Sequence, residues 1–191
     1  MENTIIFATN NKNKVAEVKD ILKNQFEILS LQEAGITIDI PEPYDTLEEN
    51  ASTKSTTIHH LTKKNCFSED TGLFVNALNG EPGVKSARYA GDAANKEDNI
   101  AKLLAKLEDN SNRKARFRTI ISMILDEKEY QFEGVCLGRI QYQKTGSQGF
   151  GYDAIFIPDG ADKSFAEMGM EEKAGYSHRK KAINKMVQFL S

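Results

Sequence analysis

The amino-acid sequence predicts an α/β protein with a mixed central sheet flanked by helices. Short runs rich in β-branched residues alternate with helical periodicity through the N-terminal third. Two longer apolar runs, residues 115–125 and 130–141, flank the polar tetrapeptide "DEKE" and read as an antiparallel hairpin. Crossover units followed by a hairpin combine parallel and antiparallel pairing in one sheet.

Taken in order, "TIIFAT" (residues 4–9) is a strand that ends in the polar loop "NNKNK". Val15, Val18, Ile21 and Leu22 then recur at helical spacing. "FEILSL" reads as a second strand, and the two prolines of "DIPEPYDT" exclude a central strand or helix interior after it. A helix opens near Thr46 in "TLEENASTKSTTIHHLTKKN", with acids in the first turn where the helix dipole favours them. "CFSEDTGLFV" reads as a strand, an acidic turn, and a further strand or short helix. "NALNGEPGVKSARYAG" is a loop punctuated by glycine and proline. "KEDNIAKLLAKLED" is an amphipathic helix with Ile100, Leu103, Leu104 and Leu107 on one face. "GFGYDAIFIP" is a glycine-rich turn running into an apolar strand, and "SHRKKAINKMVQFL" is a closing helix with Ser177 as its N-cap.

The 191 residues fit one domain spanning 1–191, or two small lobes sharing a core. Hydrophobic content of 39% and charged content of 28% are those of an ordinary soluble globular protein. A formal charge of -3 argues against a sequence-independent nucleic-acid binder, which needs a net cationic face. Cys66 and Cys136, far apart and in apolar settings, read as buried free thiols in a reducing compartment. "MENTIIFATNN" has no basic n-region, and no apolar run approaches the ~18 residues of a membrane span. The expected location is the cytoplasm, with neither membrane nor nucleic acid as partner.

Four features could carry chemistry. In "TNNKNKVAEV", amide side chains and two lysines precede a helix N-terminus, a place suited to phosphate, although the spacing is not that of a P-loop. A solvated polar loop reads equally from those residues. The acids Glu48, Glu49, Glu69 and Asp70, without His or Cys companions, suit Mg2+ more than zinc. Glu48 alone reads as an exposed first-turn charge, while Asp70 has apolar flanks. In "GSQGFGYDAIF", Phe150 and Tyr152 sit on a flexible backbone beside Asp153; they are either base-stacking or core aromatics. In "EEKAGYSHRKKA", Lys173, His178 and Arg179 form either a solvated basic surface or a set of donors to an anion and a purine edge. His59 and His60 point about 100° apart on a helix and cannot share a metal.

"FATNNKNKVAEV", "EENASTK", "SEDTGLFVNALNGEPGVKSARYAG", "GFGYDAIF", "SFAEM" and "EEKAGYSHRKKA", in that order and nearly end to end, resemble the inosine/xanthosine triphosphate pyrophosphatase family. The resemblance implies an elongated fold with two lobes around a nucleotide cleft, a homodimer, and Mg2+-dependent hydrolysis of dITP, ITP and XTP to monophosphate and pyrophosphate. It assigns Thr9, Asn10, Asn11, Lys12, Asn13 and Lys14 to the phosphate loop. Asp70 takes the position of the catalytic base and metal contact, Glu49 that of a further metal acid, and Thr71 touches the substrate. Phe150, Gly151, Tyr152 and Asp153 form the base pocket, completed by Lys173, His178 and Arg179.

The chain departs from the family pattern at Ala154, where proline is usual, and at Asn10, where many members have glycine and where asparagine tolerates positive φ. The segment before "EENA" is short, which leaves open whether Glu42 reaches the metal. On this reading Glu69 and Asp70 both face a metal and a water, and donors such as Arg179 meet the O6 acceptor of inosine or xanthosine. A septum-formation-type nucleotide pyrophosphatase and a non-catalytic nucleotide- or RNA-binding module are the competing readings, separated by turnover of pyrimidine or purine triphosphates.

Overall fold

The computed structural model describes residues 4–22, 25–93 and 95–191. The first three residues of "MENTIIFATNN" lie outside them. The fold is mixed α/β. Strands β1 (Thr4–Phe7), β2 (Glu27–Ser30), β3 (Cys66–Val75), β4 (Pro82–Gly83), β5 (Lys114–Leu125), β6 (Lys128–Ile140) and β7 (Phe156–Pro158) pair in the order β2-β1-β3-β5-β6-β7, with β4 on β3. The helices are α1 (Lys12–Leu22), α2 (Leu47–Thr62), α3 (Lys96–Lys106), α4 (Met170–Tyr176) and α5 (His178–Leu190). None among the described residues is long and apolar enough to cross a membrane. β1 pairs in parallel with β2 and β3, whereas β3–β4 and β6–β7 are antiparallel.

The chain divides into two compact units. Unit 1 comprises Met1–Asp70, Thr119–Gly134 and Arg179–Ser191. Its β1 is buried on both faces, as parallel strands are. Ile5 and Phe7 pack with Val18 and Leu22 of α1 and Ala182, Ile183 and Met186 of α5. Ile6 and Ala8 pack on the opposite side with Ile58 of α2 and Ile124. Phe7 is the register partner of Phe67, and their rings stack with centroids 4.5 Å apart. The predicted start of α2 holds: Thr46 is extended and its side chain accepts from Glu49 N.

Unit 2 comprises Thr71–Arg118 and Val135–His178. Leu73 and Val75 of β3, Ile100 and Leu103 of α3, Leu107, Phe117 of β5, and Phe156 form its core. Asn95 caps α3 by accepting from Glu97 N and Asp98 N. Both cysteines are free and buried.

Two local expectations are corrected. "SEDTG" is no turn: β3 runs unbroken from Cys66 to Val75. "EEKAGY", for which the sequence predicts no element of its own, belongs to the separate helix α4, with Glu171 and Glu172 in its first turn.

Candidate active site

The alternation of β3 sets the geometry of unit 1. Cys66 belongs to the cluster on the α2 side and Phe67 to the cluster on the α1/α5 side. Side chains reverse face at each step of a strand. Ser68 accordingly donates to Ala51 O of α2, Glu69 turns to α1 and α5, and Asp70 turns back to α2. The two adjacent acids therefore serve different partners.

Glu69 is an anchor and is only 2% exposed. Arg179 Nε donates to its Oε2 at 2.7 Å and Nη2 to its Oε1 at 2.8 Å. Lys14 Nζ lies 3.1 Å from Oε1, and Arg179 Nη1 donates to Glu17 of α1. Burial works to raise the Glu69 pKa, but Arg179 and Lys14 overturn it and hold the carboxyl well below the usual range. The expectation that Glu69 faces a metal is thus replaced by a buried ion-pair cluster. The guanidinium of Arg179, expected to meet a base edge, is 1% exposed and gives three N–H groups to Glu69 and Glu17.

Asp70 faces Lys54, a residue given no role from the sequence. Lys54 Nζ donates to Glu69 O at 2.7 Å, to Asp70 Oδ1 at 3.4 Å, and to Glu42. Burial pushes the Asp70 carboxyl up, against the pull of Lys54 and Lys14 and with help from Glu42. Burial works to lower the Lys54 pKa, but Asp70 and Glu42 outweigh it and the ammonium is kept charged. A signal for Lys54 was present: positions 47, 50, 51, 54, 55 and 58 form the buried stripe of α2, and a lysine within such a stripe needs anionic company.

At the start of α1, Asn11 Oδ1 accepts from Asn13 N at 3.1 Å and Lys14 N at 3.2 Å, while Thr9 Oγ1 accepts from Asn11 N at 3.2 Å. Asn11 is the cap of α1, so two of the amides expected to be open to phosphate are already served. Asn10, Asn11, Lys12 and Asn13 are exposed and Lys14 half-buried. Asn10 does not take positive φ; the non-glycine residues that do, among those described, are Lys63, Asn79, Asp126 and Glu127.

Among the described residues no group of three or more His, Cys, Asp or Glu side chains converges as a metal cage. Mg2+ does not require one, since it keeps waters and takes one or two carboxylates. Asp70 and Glu42 already share the cation of Lys54, so the donor chemistry fits such an ion. Glu49, the further metal acid that the resemblance implies, is exposed, and Thr46 Oγ1 donates to its Oε2 at 2.6 Å.

In unit 2, Asp153 Oδ2 accepts from Phe150 N at 2.9 Å and from Lys173 Nζ at 2.7 Å. Lys173 Nζ lies 5.1 Å from the centroid of the half-buried Phe150 ring. Gly149 and Gly151 both take positive φ, and a Cβ on Gly149 would lie 2.1 Å from Asp153 Oδ2. Tyr152 is a core aromatic, 4% exposed, whose hydroxyl donates to Ser86 O at 2.7 Å. Burial raises its phenol well above the ordinary range. Ala154 is buried in the short 3-10 turn Asp153–Ile155. The His178 ring stacks on Phe117 with centroids 4.6 Å apart, and Thr71 is half-buried on β3.

The Ham1 family pattern matches residues 5–189. The chain is 48% identical over 187 residues to the dITP/XTP pyrophosphatase of Flavobacterium johnsoniae, covering 98% of this chain and 97% of that protein. It is likewise 48% identical to the dITP/XTP pyrophosphatase of Porphyromonas gingivalis, covering 97% and 96%. The solved Ham1 protein of Staphylococcus aureus superposes with a TM-score of 0.88 at 40% identity, covering 98% of this chain and 97% of that one. A HAM1 protein from Coxiella burnetii gives the same TM-score at 34% identity, covering 98% of each. By sequence and by fold, this chain belongs to the Ham1 family.

Proposed function

We propose that the protein hydrolyses dITP, ITP and XTP to the monophosphate and pyrophosphate, removing non-standard purine nucleotides from the pool. The observation that carries the reading is Asp70, buried on β3 with its pKa raised and the Lys54 ammonium beside it. It stands in a chain 48% identical to relatives named for this activity.

Asp70 orients a water and takes its proton as the oxygen attacks the α-phosphorus. The bond from that phosphorus to the bridging oxygen breaks, and pyrophosphate leaves. Lys12, Lys14, Lys54 and the N-terminal end of α1, from the loop Thr9–Lys14, offset phosphate charge. A bound Mg2+, held by Asp70 and Glu42, would supply further charge neutralisation at phosphate oxygens. Phe150 offers an aromatic face to the base, on a loop that Asp153 and Lys173 fix. Gly151, Tyr152 and His178 shape that pocket, and Thr71 contacts the substrate. An O6 acceptor satisfies donors that the adenine amino group leaves unpaired, a mismatch worth ~1–3 kcal/mol per buried group. We place the enzyme in the cytoplasm as a homodimer, to be checked by light scattering on the purified chain.

The test is product analysis with dITP and XTP beside dATP, dGTP and dTTP, each with Mg2+ and with chelator. Monophosphate plus pyrophosphate from dITP and XTP, lost on chelation, is the expected outcome. Asp70→Asn should lower turnover by about 10²-fold or more. Diphosphate plus phosphate as products would refute attack at the α-phosphorus, and near wild-type turnover in the variant would remove Asp70 from its role.

A further inference from the structure

Behind Lys54 lies a line of polar side chains that the catalytic reading leaves unused. Ser55 of α2 and Ser122 of β5 are fully buried, with their Oγ atoms 2.6 Å apart. Ser122 Oγ donates to Glu129 Oε1 of β6 at 2.7 Å, and Ser52 Oγ of α2 donates to Glu129 Oε2 at 3.0 Å. A carboxylate only accepts, so Ser122 and Ser52 each donate to Glu129, and the one hydroxyl hydrogen of Ser55 is shared between Ser122 Oγ and its own helix, at Ser52 O 3.0 Å away. Gln131 Nε2 adds a donor to Glu129 Oε1 at 3.0 Å.

Ser52 and Ser55 bracket Lys54 on one helical turn. Across the helix, Ser68 donates to Ala51 O, two residues before Asp70 on β3. The turn that projects Lys54 is therefore tied at separate points to β3 and to the β5–β6 hairpin, neighbours in one sheet. The buried hydroxyls of Ser55 and Ser122 make a directional contact that apolar packing would not, and they lead to the half-buried Ser52 and the exposed Glu129. Losing the hairpin contacts removes one of these ties, and the Lys54 contacts at 2.7 and 3.4 Å have little slack.

We infer that Glu129, acting through Ser52, Ser122 and Ser55, is a positioning residue that aims Lys54 at Asp70. The inference rests on the functional reading above only for its kinetic arm. The experiment compares the wild type with Glu129→Ala, Ser122→Ala, the milder Ser52→Ala and the conservative Glu129→Gln, each checked for folding by circular dichroism.

The first readout is acetylation of each lysine by an amine-reactive ester, resolved by mass spectrometry. Lys54 should be protected in the wild type and in Glu129→Gln. It should react several-fold faster in Glu129→Ala and Ser122→Ala through local opening of the turn, with exposed Lys12 unchanged. The second readout is dITP hydrolysis in a double-mutant cycle with Lys54→Met. Glu129→Ala should lower kcat/KM about 10- to 100-fold in the presence of Lys54, as a misplacement near 1 Å does, and cause no further loss in its absence. Lys54 labelling that stays at the wild-type rate in Glu129→Ala, or losses that simply add in the cycle, would overturn the inference. A wild type that turns over no dITP would refute the functional reading, and the labelling would still decide the positioning claim.

Discussion

Replacing Glu69 by Gln tests the buried ion-pair cluster directly. The substitution keeps the shape and one acceptor for Arg179, but it removes the charge that faces the Arg179 guanidinium and the Lys14 ammonium. Removing one partner of a buried pair costs about 3–5 kcal/mol, because the remaining charge stays buried without compensation. Glu17 still accepts from Arg179, so the lower end, about 3 kcal/mol, is expected. For a chain of this length each kcal/mol moves Tm by roughly 2–4 °C, which gives a fall of about 6–12 °C. The chain has no tryptophan, so the melt is followed by far-UV circular dichroism and confirmed by urea titration. Solvent reaching the pair, rather than a clamp, would show as a loss under ~1 kcal/mol, the range of exposed ion pairs, and that result would refute the reasoning.

The same cluster sets an acid dependence. Because the folded pKa of Glu69 is depressed, its contribution is fully present above the unfolded value near ~4.3 and is lost as pH falls toward the folded value. The Tm gap between wild type and Glu69→Gln should therefore be constant from pH 7 to 5 and narrow below pH ~4; a gap unchanged at pH 3 would contradict the assignment. Gly149→Ala places a methyl against Asp153 Oδ2 at a positive φ, and should loosen the Phe150 loop with a stability loss of ~1–2 kcal/mol or more and a raised KM for dITP. At the hairpin turn, Asp126 and Glu127 both take positive φ, the signature of a two-residue turn that prefers glycine second. Glu127→Gly relieves a left-handed backbone costing ~1–2 kcal/mol against ~0.5–1 kcal/mol of glycine entropy, so stability in urea titration should rise by up to about 1 kcal/mol, and a loss would show that the Glu127 side chain has a role there.

Elements with a local signature were legible in the sequence. β1 announced itself by "TIIF", α3 by its apolar face at Ile100, Leu103 and Leu107, and α2 by Thr46 ahead of two acids. β3 was misread at "SEDTG" because two acids beside a glycine look solvated. What allows them inside a strand is distant in sequence: Arg179 lies 110 residues from Glu69, and Lys54 lies 16 from Asp70. The pairing of Arg179 is hidden for the same reason, since its carboxylate partners come from α1 and β3 and no local pattern names them. The sequence allows Tyr152 either a stacking or a core position; its hydroxyl bond to Ser86 O, 66 residues away, places it in the core.

The alternation along β3 also gives the segment from Cys66 to Asp70 a reading frame. One residue inserted or deleted between Cys66 and Glu69 would exchange the duties of the two acids. The carboxylate meant to neutralise Arg179 would be presented to Lys54, and the other would be driven against the α1/α5 layer as an aspartate one methylene too short. Compensation would require a simultaneous change on both neighbouring layers. Loops of this protein can vary in length by small steps, whereas this strand can change length only in pairs of residues.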